Sequence, residues 1–129
     1  MYIKTKRLLI RKFEHKDLQA VYAYTSDIHV MKYIPKGVFT EEAAKEFINQ
    51  NMGDQAEKFP VILIDENILI GHIFFAQYFG EHTYEIGWVF NPNYYNKGYA
   101  SEAAKAMIEF GFEKMKLHRI IATCQPENI

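Results

Sequence analysis

The 129-residue sequence predicts one α+β domain, a mostly antiparallel sheet carrying a single parallel strand–helix–strand unit. The β-rich runs Pro60 to Ile64, Ile68 to Tyr78 and Thr83 to Phe90 follow one another. They are joined by the short polar turns Asp65-Glu66-Asn67 and Phe79-Gly80-Glu81-His82, which favour antiparallel hairpins. A glycine turn at Gly98 then opens a helix stripe of Ala103, Ala104, Met107, Ile108, Gly111, Phe112 and Met115, followed by a strand from Leu117 to Cys124. Two strands of one sheet joined by a crossover helix form a right-handed parallel unit, and ligands favour such places in a sheet.

The chain before the meander reads as β followed by α. Leu8-Leu9-Ile10-Arg11-Lys12-Phe13 is the opening strand, and Lys16 to Thr25 is a helix with Leu18, Val21, Tyr22 and Thr25 on one face. A second helix starts at the N-cap Thr40, where Glu41 and Glu42 suit the positive end of the dipole. Ala44, Phe47, Ile48 and Met52 keep its helical spacing, and it ends near Gly53.

Hydrophobic residues make up 49% and charged residues 24% of the chain, so it holds a core and shows no sign of disorder. A domain of this length buries roughly two thirds of its unfolded surface and needs neither disulfide nor metal to fold. Fifteen Lys+Arg against sixteen Asp+Glu give a formal charge of −1, which excludes the basic excess of a nucleic-acid or anionic-membrane binder. Any anion site is therefore local. The one cysteine, Cys124, allows no intrachain disulfide. Met1 to Phe13 lacks the apolar core of a signal peptide, and no apolar run reaches membrane-spanning length, so a cytoplasmic protein is expected. No repeat or linker divides residues 1–129. Gln125-Pro126-Glu127-Asn128-Ile129 reads as a loop leading into a further element that would cover the edge of the last strand.

The most informative segment runs from Tyr84 to Ala104. An apolar strand enters a polar loop, turns at Gly98 and begins a helix with the small residues Ala100 and Ser101. Bare backbone N–H groups at such a helix start, beside the positive end of its dipole, hold a diphosphate well, and Gly98 removes a side chain that would hinder approach. Two other phosphate motifs fail on spacing. A nucleoside-triphosphate loop needs two glycines five apart with Lys-Ser or Lys-Thr after the second, and Gly71, Gly80, Gly87, Gly98 and Gly111 never fall at G-x-G-x-x-G intervals either.

Tyr95-Asn96-Lys97-Gly98-Tyr99-Ala100 resembles the acetyl-coenzyme A loop of the GNAT N-acetyltransferases, written Q/R-x-x-G-x-G/A. Thr5-Lys6-Arg7-Leu8-Leu9-Ile10-Arg11, Ile70-Gly71-His72-Ile73, Glu85-Ile86-Gly87-Trp88-Val89-Phe90-Asn91-Pro92 and Gly98-Tyr99-Ala100-Ser101-Glu102-Ala103 follow in the order seen in the branch containing the ribosomal-protein N-terminal acetyltransferases. The resemblance covers nearly the whole chain. Tyr95 stands where Gln or Arg is usual, and Ala100 replaces the last glycine, as the pattern permits.

This resemblance implies a GNAT-like sheet with helices on both faces, acetyl-coenzyme A as cosubstrate and a primary amine as acceptor, whether a protein N-terminus, a polyamine or another small amine. Trp88, Val89 and Phe90 would pair by backbone with the pantetheine arm, and Tyr95, Asn96, Lys97, Gly98, Tyr99, Ala100 and Ser101 would form the pyrophosphate loop. Asn128 would hydrogen-bond the coenzyme arm. Glu85, on the strand expected beside the thioester, is the candidate base, with a cross-strand polar pair as its bland alternative. A backbone N–H of Val89 or Phe90 would meet the oxyanion. The family's thiolate acid is a tyrosine on a helix after the final strand, and Tyr94, Tyr95 and Tyr99 are not promoted into that role.

Cys124 has no base beside it in sequence and reads as packing. His15, His29, His72, His82 and His118 show no ligand spacing, so no metal is expected. Tyr24, Tyr33, Phe39 and Phe47 fall in the segment that lines the acceptor side in the family, although aromatic sets at such spacing are more often core. A second copy of the chain as partner stays open. So do two rivals, a non-catalytic acyl-coenzyme A binding or sensing module and a nucleotide-binding protein using the same helix start.

Overall fold

The computed structural model describes residues 2–32, 34, 37–78 and 82–122. Six strands, β1 (Ile3–Lys4), β2 (Leu8–Ile10), β3 (Lys58–Leu63), β4 (Ile68–Gln77), β5 (Thr83–Phe90) and β6 (Arg119–Ala122), lie side by side in chain order. Every neighbouring pair is antiparallel except β5 and β6, which run parallel from Thr83↔Arg119 to Ile86↔Ala122. The crossover between those two strands is α3 (Tyr99–Glu113), so the expected parallel unit is present. The turn at 79–81 and Cys124 lie outside the described residues.

Helices cover both faces of the sheet. On one face, Ala103, Ala104 and Met107 of α3 pack against Leu8, Ile10, Val61, Ile73, Phe75, Ile86 and Phe90, all buried. Gly111 permits this closeness, because a Cβ there would stand 2.9 to 3.0 Å from Ile120, Leu117 and Phe75 side chains. Phe112, expected in the apolar stripe, is instead exposed, and Met115 falls beyond the helix end. On the other face, α1 (Leu18–Thr25) and α2 (Glu41–Gln50) bury Val21, Tyr24 and Ile48 with Phe13, Ile62 and Leu69. Alternation along each strand sends neighbouring residues to opposite cores, as in Val61 and Ile62.

At β2, α1 and α2, a polar side chain accompanies the element end that differs from the sequence reading. The opening strand stops at Ile10, since Arg11 turns to Asp17: its Nη1 and Nη2 donate to the two carboxylate oxygens at 2.9 Å each. Asp17 also accepts from the Glu14 amide at 2.8 Å and closes a single 3-10 turn, His15–Asp17, which delays α1 to Leu18. The buried face of α1 then uses Val21, Tyr24 and Thr25, with Tyr22 only half-buried. Thr40 caps α2 as expected, accepting from the Ala43 amide at 3.1 Å. That helix stops at Gln50 rather than near Gly53 because buried Asn51 donates to the Phe47 carbonyl at 2.7 Å. Its Oδ1 also accepts from the Glu57 and Lys58 amides at 2.9 and 3.0 Å, tying the helix end to β3. No helix among the described residues is long and apolar enough to cross a membrane.

Candidate functional site

The sheet changes character along β5. Its first half, Thr83–Ile86, has β4 on one side and β6 on the other. From Gly87 to Phe90 it keeps β4, pairing with Gly71–Phe74, while no described strand pairs with its far edge. Strand, loop and α3 together enclose a cavity of about 510 Å³, lined by Val30, Trp88, Val89, Phe90, Tyr94, Tyr95, Asn96, Gly98, Tyr99, Ala100 and Ser101. That volume suits a sizeable organic ligand.

The inner wall depends on Gly71. A Cβ there would come within 2.6 Å of the Val89 carbonyl oxygen and 2.9 Å of the Phe90 Cα, so only glycine lets β4 and β5 approach at this point. Phe90 is buried in the α3-side core, and Val89 packs toward α1 and α2. Trp88 is 40% exposed and lines the cavity, so core packing does not account for its side chain. Glu85 shares the Val89 face by alternation, is half-buried, and lies opposite Ala76 of β4 and Ile121 of β6. It does not line the cavity.

The outer wall is a turn forced into left-handed geometry. Asn91 accepts from the Asn93 amide at 3.0 Å and opens a short 3-10 turn, Pro92–Tyr94. Asn96 then takes φ 64° and Gly98 φ 79°. Asn tolerates that region and glycine occupies it freely. At Gly98 an added Cβ would meet only Arg7 Nη2, at 3.4 Å, so the glycine is required by its backbone angle rather than by crowding within the protein. Gly98 is the N-cap of α3 and no side chain caps the helix. The helical ladder opens with the Glu102 amide donating to the Gly98 carbonyl at 3.0 Å, which leaves the amides of Tyr99, Ala100 and Ser101 ahead of the first intrahelical bond. These are the donors an anion needs, beside the positive end of a 15-residue helix.

Charges outside the cavity hold this turn in place. Arg7 Nε donates to Glu102 Oε1 at 2.6 Å and its Nη1 to the Lys97 carbonyl at 3.1 Å. The guanidinium lies 4.5 Å over the Tyr99 ring. Burial pushes the Glu102 carboxyl up, but hydrogen bonds from Thr5 and Arg7 outweigh it and leave the group below the ordinary carboxylate value. Partial burial and the nearby Asp27 carboxylate push the Tyr95 phenol up, which makes it a poorer proton donor.

A sequence profile described as acetyltransferase (GNAT) domain matches residues 7–129. The chain belongs to the GNAT acetyltransferases. It is 78% identical over 129 residues to the uncharacterized N-acetyltransferase YnaD of Bacillus subtilis (strain 168), all of this chain aligning with 76% of that protein. The crystal structure of a GNAT-family acetyltransferase from Bacillus anthracis superposes with a TM-score of 0.95 at 73% identity, covering 99% of this chain and 76% of that one. A spermidine N-acetyltransferase from Vibrio cholerae, solved with CoA and spermine, shares the fold with a TM-score of 0.76 at 22% identity, over 92% of this chain and 71% of that one. As a GNAT domain the chain is an acyltransferase, and the family uses acetyl-coenzyme A.

Nine of the expected coenzyme residues meet at the cavity: Trp88, Val89, Phe90, Tyr95, Asn96, Gly98, Tyr99, Ala100 and Ser101. Lys97 stands outside its lining and contributes its carbonyl to Arg7 instead. Asn128 and Tyr33 lie outside the described residues. Of the aromatic set, Tyr24 is buried in the core, half-buried Phe47 packs against that core, and half-buried Phe39 lies 5.5 Å from Phe47; none of the three lines the cavity. Sequence reasoning missed Val30, whose loop brings the α1–α2 connection to the cavity, and Tyr94. It noted Thr5, Arg7 and Glu102 only as motif letters, with no sign that residues 95 apart meet.

Proposed function

We propose that this GNAT domain transfers acetyl from acetyl-coenzyme A to a primary amine by direct attack, with the coenzyme held in the cavity between β5 and the start of α3. The observation that carries the reading is the uncapped helix start at Gly98, open to a cavity that also runs along the Gly87–Phe90 edge, which no described strand pairs. The pyrophosphate would take the amides at Gly98 to Ser101, and the pantetheine arm would add to the β5 edge as an extra strand does.

In the reaction the amine nitrogen attacks the thioester carbonyl carbon, a C–N bond forms as the C–S bond breaks, and the sulfur leaves as thiolate, which takes its proton from water. Glu85 would take the amine proton, directly or through a water, and the Val89 or Phe90 amide would stabilise the oxyanion. The motif order favours the branch of the ribosomal-protein N-terminal acetyltransferases, and the spermidine acetyltransferase neighbour adds polyamines to the acceptors worth offering. A reducing, cytoplasmic setting suits the lone Cys124.

The test is release of free thiol from acetyl-coenzyme A with spermidine, an N-terminal serine or alanine peptide, or a small monoamine. Amine-dependent release supports acetyl transfer. Coenzyme binding with no release on any acceptor favours the binding module, and competition by ATP but not by desulfo-coenzyme A favours a nucleotide site.

A further inference from the structure

The start of α3 is tied to the first strand turn of the chain through one carboxylate. Glu102 Oε2 accepts from Thr5 Oγ1 at 2.6 Å and from the Arg7 amide at 3.0 Å, while its Oε1 accepts from Arg7 Nε at 2.6 Å. The same guanidinium reaches past Glu102 to the loop, where Nη1 donates to the Lys97 carbonyl at 3.1 Å and Nη2 stands 3.4 Å from where a Cβ on Gly98 would lie. Its flat face covers Tyr99. Arg7 therefore holds the residues on either side of Gly98, Lys97 and Tyr99, and is anchored from behind by Glu102.

We propose that Arg7 is a positioning residue for coenzyme binding: braced by Glu102 and Thr5, it sets the turn from Asn96 to Gly98, left-handed at both of those residues, so that the amides at the start of α3 converge on the pyrophosphate. Anion recognition by backbone amides depends on their orientation, and the turn lacks any internal side-chain cap that would fix it. An arginine suits this place because a planar fork reaches a carboxylate and a carbonyl at once, whereas a lysine offers one compact charge. Glu102 is kept ionised by the same bonds, so the brace is a full ion pair at neutral pH.

The inference rests on the coenzyme reading above, and the experiment separates the two. Wild type, Arg7→Lys, Arg7→Gln and Glu102→Gln are assayed with acetyl-coenzyme A and with S-acetylpantetheine, which carries the thioester arm but no phosphate. Positioning predicts that both Arg7 variants raise KM for acetyl-coenzyme A about tenfold, with kcat at saturation within about twofold of wild type. Glu102→Gln moves KM in the same direction by less, and kcat/KM on S-acetylpantetheine stays at the wild-type value for all three. Arg7→Lys keeps the charge and guards against a variant that merely fails to fold. An unchanged KM in Arg7→Lys and Arg7→Gln, or an equal loss on both donors, overturns the proposal, the latter by assigning Arg7 a purely structural part. A wild type that does not prefer the phosphate-bearing donor sinks the coenzyme reading itself, and the proposal with it.

Discussion

Tyr24 Oη and His72 Nδ1 lie 2.6 Å apart, hydrogen-bonding the last turn of α1 to β4 at the residue opposite Val89. Both side chains are buried, and His72 is also enclosed by Phe13 and Phe47, with ring centroids at 6.5 and 5.0 Å. The pair thus sets the back wall behind one of the cavity-lining strand residues.

Burial, and secondarily the charge of Lys58, lowers the His72 pKa from 6.5 to about 3. A depressed folded value means that the unfolded chain takes up the proton first. His72 therefore contributes stability that is fully present above about pH 6.5 and is lost as pH falls from there toward 3. Urea midpoints between pH 7 and pH 4 should fall more steeply for wild type than for His72→Asn, which keeps a hydrogen-bond partner for Tyr24 and cannot titrate. Parallel profiles would remove His72 from the acid sensitivity.

The Arg11–Asp17 fork predicts a large stability effect away from the cavity. Asp17 is 5% exposed and Arg11 15%, so Asp17→Asn leaves a nearly buried guanidinium with only the exposed Glu14 carboxylate, 3.7 Å away, as its anion. Breaking such a pair costs about 3 kcal/mol, readable as a lower urea midpoint with an unchanged slope. A loss below about 0.5 kcal/mol would show that the fork behaves as a surface pair.

Gly71→Ala should act on fold and site together. Its Cβ would press on the Val89 carbonyl and Phe90 Cα, both backbone atoms that cannot rotate away. Overpacking of this kind costs about 1–3 kcal/mol, and relief by moving β5 would disturb the cavity wall, so coenzyme affinity should fall with stability. Full retention of both contradicts the close β4–β5 approach.

Glu85→Gln should spare the fold and coenzyme affinity while slowing turnover about a hundredfold, the scale of a lost general base. A kcat within twofold of wild type would remove Glu85 from the mechanism.

Periodicity and turn chemistry made the meander from β3 to β5, all three helices and the parallel unit readable from sequence, because each depends on local apolar spacing and on glycine or a polar cap at the boundary, whereas β1 and the place of β2 beside β3 were not read. Thr40 and Gly98 are examples: one caps with its own side chain, the other takes a left-handed angle. What escaped was set by distant polar partners. Asn51 ends α2 by bonding to residues at the start of β3, Asp17 delays α1 for Arg11, and Glu102 of α3 is claimed by Thr5 and Arg7. Nothing in the spacing of a charged residue names its partner across the fold. The cavity was legible for a different reason. A strand, a glycine turn and a small-residue helix start are contiguous in the chain, so nine of its lining residues could be named from one segment, while Val30, brought in by a separate loop, could not.

Direct titration of coenzyme A into wild type and Gly98→Asn tests the central claim. Asparagine tolerates the left-handed angle found at Gly98, so this variant should keep its fold while putting a side chain against Arg7 and beside the amides proposed to hold the pyrophosphate. The account predicts saturable wild-type binding and a Kd at least about tenfold higher for the variant, with an unchanged urea midpoint. Equal affinity in the two proteins would contradict it.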